Sequence, residues 1–124
     1  MNSKKIKVAV VGAGYFSQFQ YQGWHNMDDV RTVALANRSI AKGEALAAHY
    51  GVPKVYAHVE EMLDAEQPDL LDIITTPATY REYIELAAAR GITVICQKPF
   101  GRSFGEAVEL TEIAEKSGIK LIVH

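Results

Sequence analysis

Gly12-Ala13-Gly14-Tyr15-Phe16-Ser17 follows directly on the apolar run Ile6 to Val11 and opens a segment in which Phe16, Phe19, Gly23 and Met27 share one helical face. Each glycine in such a turn has a physical task. Gly12 permits a tight reversal out of the strand, and Gly14, having no Cβ, lets an anion come close to the backbone. Free N–H groups and the positive end of the helix dipole then favour a negatively charged ligand. In a strand-turn-helix setting this spacing is the G-x-G-x-x-[G/A] pattern of dinucleotide binding, which sets Gly12, Ala13, Gly14, Tyr15, Phe16 and Ser17 around a diphosphate. Ser17 departs from the pattern by one small hydroxyl, which still allows close helix-to-strand packing and adds a donor. The plain alternative is a strand-to-helix turn that holds no ligand.

Asn37 stands 25 positions after Gly12, at the end of the second apolar run. A dinucleotide-binding chain normally carries a carboxylate there, accepting from the adenosine ribose hydroxyls. An amide removes the repulsion that would exclude a ribose 2'-phosphate, and Arg38, Ser39 and Lys42 supply a guanidinium, a hydroxyl and an ammonium suited to bind one. The expected coenzyme is NADP in preference to NAD. The competing account has Ser39 capping the next helix and the two cations in solvent.

These residues need elements to position them. Apolar runs bounded by turn residues occur at Ile6 to Val11, Val33 to Ala36, Leu70 to Ile74, Ile92 to Cys96 and Ile119 to Val123, with a weaker one at Val55-Tyr56. They read as strands, mostly buried on both faces. Between them, Ala41, Ala45, Leu46 and Ala48 share a helical face before Gly51 and Pro53, and Thr79-x-x-Glu82 and Ser103-x-x-Glu106 have the form of capping boxes. Gly91 and Gly118 stand where those two helices should end. Alternation with short connections requires parallel strands, right-handed crossovers and helices on both faces, giving an α/β doubly wound sheet of about six strands. Residues 1–124 read as one domain, without linker, repeat or low-complexity stretch.

With 48% apolar and 23% charged residues, the chain can sustain a core without metal or disulfide staples, and its single cysteine, Cys96, excludes an internal disulfide framework. Thirteen basic against fifteen acidic side chains, with no block of like charge, argue against nucleic acid or an anionic membrane as partner. The apolar run after Lys4-Lys5-Ile6-Lys7 is too short for a signal peptide and is broken by Gly12, so a cytoplasmic location is expected. His25, His49 and His58 show no ligand spacing, and no metal site is expected. Trp24 is expected to pack, and Cys96 to serve as a small apolar filler, because no histidine is placed by sequence to activate it.

Downstream of the glycine turn come Gly51-Val52-Pro53-Lys54-Val55-Tyr56, Glu60-Glu61-Met62-Leu63, Asp72-Ile73-Ile74-Thr75-Thr76-Pro77 and Gly91-Ile92-Thr93-Val94-Ile95-Cys96-Gln97-Lys98-Pro99. The last is similar to the G-x-x-V-x-x-E-K-P of the glucose-fructose oxidoreductase and inositol dehydrogenase family (Gfo/Idh/MocA), whose N-terminal nucleotide-binding domain the chain resembles end to end. The resemblance implies a Rossmann fold and hydride transfer between NADP(H) or NAD(H) and a sugar- or polyol-like substrate. It implies cofactor contacts from Thr75, Thr76, Pro77, Tyr80, Gln97 and Lys98, and places Lys98 near the nicotinamide and the reacting carbon. An ammonium there hydrogen-bonds the substrate oxygen and favours the developing alkoxide, which makes Lys98 the catalytic candidate. Gln97 replaces the family's glutamate and keeps a hydrogen bond to the cofactor but no ionic pairing with Lys98. Tyr80 stands where the family tends to carry histidine. Its phenol either meets the ligand or packs at the helix start, and does not titrate near neutrality.

The family continues into a second α/β domain that forms the substrate pocket, supplies an acid-base histidine and usually makes the subunit contacts. The present sequence stops at Val123-His124. The chain is therefore expected to fold and hold coenzyme, and to turn over slowly or not at all alone. The flank of the sixth strand, and any surface the second domain would cover, are expected to be apolar, with a homodimer as one consequence. Two other readings stay open: a stand-alone dinucleotide-binding or sensing module, and an interaction domain that keeps only the fold.

Overall fold

A computed structural model of the chain describes residues 6–12, 29–75, 79–96 and 103–123. Its strands are β1 (Ile6–Val11), β2 (Val30–Ala36), β3 (Val55–Tyr56), β4 (Leu70–Ile73), β5 (Thr93–Cys96) and β6 (Leu121–Val123). They form one sheet in the order β3-β2-β1-β4-β5-β6, every neighbouring pair parallel. Among the described residues the helices are α1 (Ile40–Tyr50), α2 (Val59–Glu66), α3 (Tyr80–Ala89) and α4 (Phe104–Ser117).

Val8, Ala9, Val10 and Val11 are all buried, as a central parallel strand covered on both faces must be. Alternate residues go to different layers. Ala9, Val11, Ala36, Leu71, Ile73, Val94 and Cys96 belong to one cluster with Met62 and Leu63 of α2, Tyr80, Tyr83, Ile84 and Ala87 of α3, and Leu110 of α4. Val8, Val10 and Leu35 form the other, with Ala47 of α1 and Val52. Helices thus cover both faces, and the doubly wound arrangement expected from the alternation is present.

The differences from expectation are local and have physical causes. β2 begins at Val30 because Val30, Arg31 and Thr32 pair with Ile6, Lys7 and Val8, although the two polar residues interrupt the apolar run. β5 and β6 begin at Thr93 and Leu121 because the Ile92 and Ile119 amides turn back to Ala87 O at 3.0 Å and Ala114 O at 3.2 Å, completing the ends of α3 and α4. Ala41, Ala45 and Ala48 are exposed and Leu46 half-buried, so the alanine face is not the packed one. α1 instead buries Gly43 and Ala47. A Cβ on Gly43 would lie 3.1 Å from both Leu35 Cδ1 and Val55 Cγ1, so the glycine is what lets this helix sit so near the sheet.

Ser103 caps α4 as expected, its hydroxyl accepting from the Glu106 amide at 3.2 Å. Thr79 does not cap α3. Its Oγ1 lies 2.5 Å from Thr75 Oγ1, so the hydroxyl is taken by the loop leaving β4 rather than by the helix's first turn.

Candidate functional site

The carboxyl ends of β2, β1, β4 and β5 lie side by side along one edge of the sheet. Strand order reverses between β1 and β4, since β2 and β3 follow on one side of β1 and β4, β5 and β6 on the other. The helices that follow β2 and β4, α1 and α3, lie on opposite faces, and a reversal of this kind opens a crevice at this point of the edge. Gly12 forms its floor with φ +114°, outside the range side chains readily adopt. Its N–H donates to Ala36 O at 2.9 Å, while the Ile74 N–H donates to Val11 O at 2.9 Å. A Cβ on Gly12 would lie 2.6 Å from Ile74 O and 3.2 Å from Thr75 Cγ2. The end of β1 is so closely held against the end of β4 that only glycine fits between them.

Strands about 4.8 Å apart set Asn37 one spacing from Gly12 on one side and Ile74 one spacing away on the other, with Thr75 the next residue along. The half-buried Asn37 donates its backbone N–H to Tyr56 O at 3.0 Å, and its Nδ2 to Ser39 O at 2.8 Å. Ser39 caps α1, its Oγ accepting from the Lys42 amide at 3.4 Å, which realises the capping account of that residue. Arg38 and Lys42 are exposed. The Arg38 guanidinium lies near the phenol of Tyr83 on α3. Burial and then the Glu82 carboxylate push the Tyr83 phenol above its ordinary pKa, and Arg38 partly opposes them.

The structure brings together Gly12, Asn37, Arg38, Ser39, Lys42 and Thr75 around the carboxyl edge. Tyr80 is 1% exposed and lies in the core cluster under α3, the helix-start packing position rather than an open one. Ala13, Gly14, Tyr15, Phe16, Ser17, Thr76, Pro77, Gln97 and Lys98 lie outside the described residues. Cys96 is fully buried at the end of β5, and burial, followed by the Asp72 carboxylate, pushes its thiol up to about 12. It is a filler and not a nucleophile. Among the described residues no group of three or more His, Cys, Asp or Glu is placed to hold a metal ion, and no helix is long and apolar enough to cross a membrane.

Sequence reasoning missed Gly43 and Tyr83. A glycine inside a helical segment signals close approach and was available to be read. Nothing in the sequence pairs Tyr83 with Arg38, 45 positions earlier.

Residues 6–124 match the family model described as an oxidoreductase family, NAD-binding Rossmann fold, GFO_IDH_MocA. The chain is 36% identical over 121 residues to D-apiose dehydrogenase of Paraburkholderia graminis, covering 98% of this chain and 32% of that protein. It is 28% identical to D-glucoside 3-dehydrogenase of Escherichia coli, covering 95% of this chain and 34% of the relative. An oxidoreductase from Agrobacterium radiobacter, solved in complex with NAD+, L-tartaric acid and magnesium, superposes with a TM-score of 0.92 at 28% identity, covering 98% of this chain and 35% of that one. The chain thus spans about a third of the length of the proteins it matches. Glycine floor, strand reversal and family model agree, and the chain belongs to the Gfo/Idh/MocA oxidoreductases as their NAD-binding Rossmann domain.

Proposed function

We propose that residues 1–124 are the coenzyme domain of a cytoplasmic NADP-preferring dehydrogenase acting on a sugar- or polyol-like substrate. The observation that carries this reading is Gly12, held at φ +114° on the floor of the crevice where the strand order reverses. The donor set fits a dinucleotide: a Cβ-free turn, an amide at the end of β2, and two exposed cations beside it. In the proposed arrangement Gly12 to Ser17 bind the diphosphate, and Asn37, Arg38, Ser39 and Lys42 bind the 2'-phosphorylated ribose. Thr75, Thr76, Pro77 and Gln97 line the nicotinamide side, with Tyr80 supporting the start of α3 beneath them. When bound, the nicotinamide supplies hydride transfer. Lys98 hydrogen-bonds the substrate oxygen and favours negative charge on it, and the hydroxyl proton passes to a base outside these residues.

The relatives are about three times as long, so the substrate is proposed to be oriented by groups outside these residues. Exposed Phe104 and Val108 on α4 and Ile122 on β6 support an apolar contact on that flank, either with such groups or with a second copy. Titration of the chain with NADPH and NADH, followed by nicotinamide fluorescence, tests the reading. Saturable binding with NADPH the tighter of the two is expected, and D-apiose or scyllo-inositol should give no NADPH production by the chain alone. Tighter NADH binding overturns the coenzyme preference, and no binding of either coenzyme overturns the function.

A further inference from the structure

Thr79 stands one residue before α3, with Glu82 three positions on, the spacing at which a threonine hydroxyl ordinarily accepts from the first turn of its own helix. Here it does not. The Thr79 backbone is already helical, at φ −98° and ψ −8°, and Oγ1 lies 2.5 Å from Thr75 Oγ1 instead. The hydroxyl goes to the loop that leaves β4, and α3 forgoes a favourable cap. Local preferences are overridden in this way chiefly at functional sites. Thr75 lies at the floor of the crevice, where its Cγ2 would stand 3.2 Å from a Cβ on Gly12. Threonine carries Oγ1 and Cγ2 on one carbon, so a single χ1 rotation sets both. With Oγ1 held by Thr79, Cγ2 is the group turned towards Gly12; free rotation would let either group take that place. The anchor is rigid, because Tyr80, the residue after Thr79, is 1% exposed in the core cluster under α3.

We propose that Thr79 is a positioning residue for the coenzyme site: its hydroxyl locks the χ1 rotamer of Thr75 and ties the end of β4 to the start of α3, so that the wall on which the nicotinamide half of the coenzyme rests is set before binding. The inference rests on the dinucleotide reading above and adds to it a residue that acts through Thr75 without touching the ligand. A wall ordered in advance need not be ordered by the ligand, and that difference appears in Kd.

Titration with NADPH and NADH, followed by nicotinamide fluorescence, tests it on the unsubstituted chain, Thr79→Val, Thr79→Ser, Thr75→Val and the double valine variant. Thr79→Val keeps the side-chain shape and removes only the hydroxyl, so it should weaken both coenzymes about fivefold, the size of one neutral hydrogen bond. With protein in excess, the fluorescence anisotropy of the bound nicotinamide should fall as well, a reading that a loss of stability alone would leave unchanged. Thr79→Ser should return both readings to within about twofold of the unsubstituted chain. Thr75→Val should match Thr79→Val, and the double variant should bind no more weakly than either single one, because both remove the same bond. An unchanged Kd or anisotropy in the valine variants, effects that multiply in the double variant, or a serine variant as weak as Thr79→Val overturns the proposal and leaves the dinucleotide reading standing. Binding of neither coenzyme by the unsubstituted chain overturns both. Either single valine variant decides the question if circular dichroism shows that the other has not folded.

Discussion

Gly12→Ala is expected to destabilise the chain by about 2–6 kcal/mol, combining an unfavourable backbone conformation with overpacking at a strand end. The new methyl would meet Ile74 O at 2.6 Å and Ile74 C at 3.0 Å. Both are backbone atoms, and Ile74 is itself bonded to Val11 O at 2.9 Å, so neither can swing aside as a side chain would. The conformational part is about 1–3 kcal/mol and the steric part about 1–3 kcal/mol, against a total stability of about 5–15 kcal/mol. Gly51→Ala separates the two parts. Gly51 also has positive φ, +70°, but nothing lies within 4 Å of its added Cβ. That variant should lose only about 1 kcal/mol. Urea unfolding followed by far-UV circular dichroism measures both. A loss at Gly12 no larger than that at Gly51 would refute the claim that close contact between β1 and β4 shapes the crevice floor.

Gly43→Ala should gain about 1 kcal/mol of helix propensity and lose about 2 kcal/mol by crowding Leu35 and Val55, for a net loss near 1 kcal/mol in the same assay. A net gain would contradict the packing described for α1. The Tyr56 hydroxyl donates to Glu66 Oε2 at 2.5 Å, with Lys54 Nζ 3.4 Å from the same oxygen. Tyr56, and then Lys54, hold the Glu66 carboxyl below its usual range, while the Glu66 bond pushes the Tyr56 phenol from 10.0 up to about 12. The Glu66 contribution is present above its unfolded pKa and fades as acid takes pH down through the folded value. The Tyr56 contribution is complete below pH 10 and fades as pH rises towards 12. Tyr56→Phe should cost about 1 kcal/mol at neutral pH and flatten both slopes of urea midpoint against pH; unchanged slopes would remove the bond from the account. Cys96 should resist iodoacetamide in the folded chain at pH 8 and react at the rate of unfolding, and prompt labelling would contradict its burial.

The fold was legible because its strands are short β-branched runs separated by glycines, and burial on both faces leaves little room for polar interruption. Arg31 and Thr32 show where this fails: a strand continues by backbone pairing after its apolar pattern stops, and composition carries no trace of that. Thr79 fails for a related reason. The spacing to Glu82 favours a cap, but a tertiary partner, Thr75, competes for the hydroxyl and wins it. At the site, Gly12, Asn37 and Ser39 were readable from their distances to the strand ends. The direction of the Asn37 amide was not, because it depends on a carbonyl that turns inward only once α1 has settled on Gly43.

β1, one of the two central strands, is also the first of these six to be synthesised. β1 gains its β2 neighbour when residues 30–36 are made, yet its other partner, β4, arrives only with residues 70–73. Until then one side of Val8 to Val11 has nothing to pair with, and the crossover that brings β4 back must close a long loop before any contact rewards it. The nascent chain is therefore at its most aggregation-prone between those two moments, with a half-built sheet whose raw edge is the very segment that later leads into Gly12.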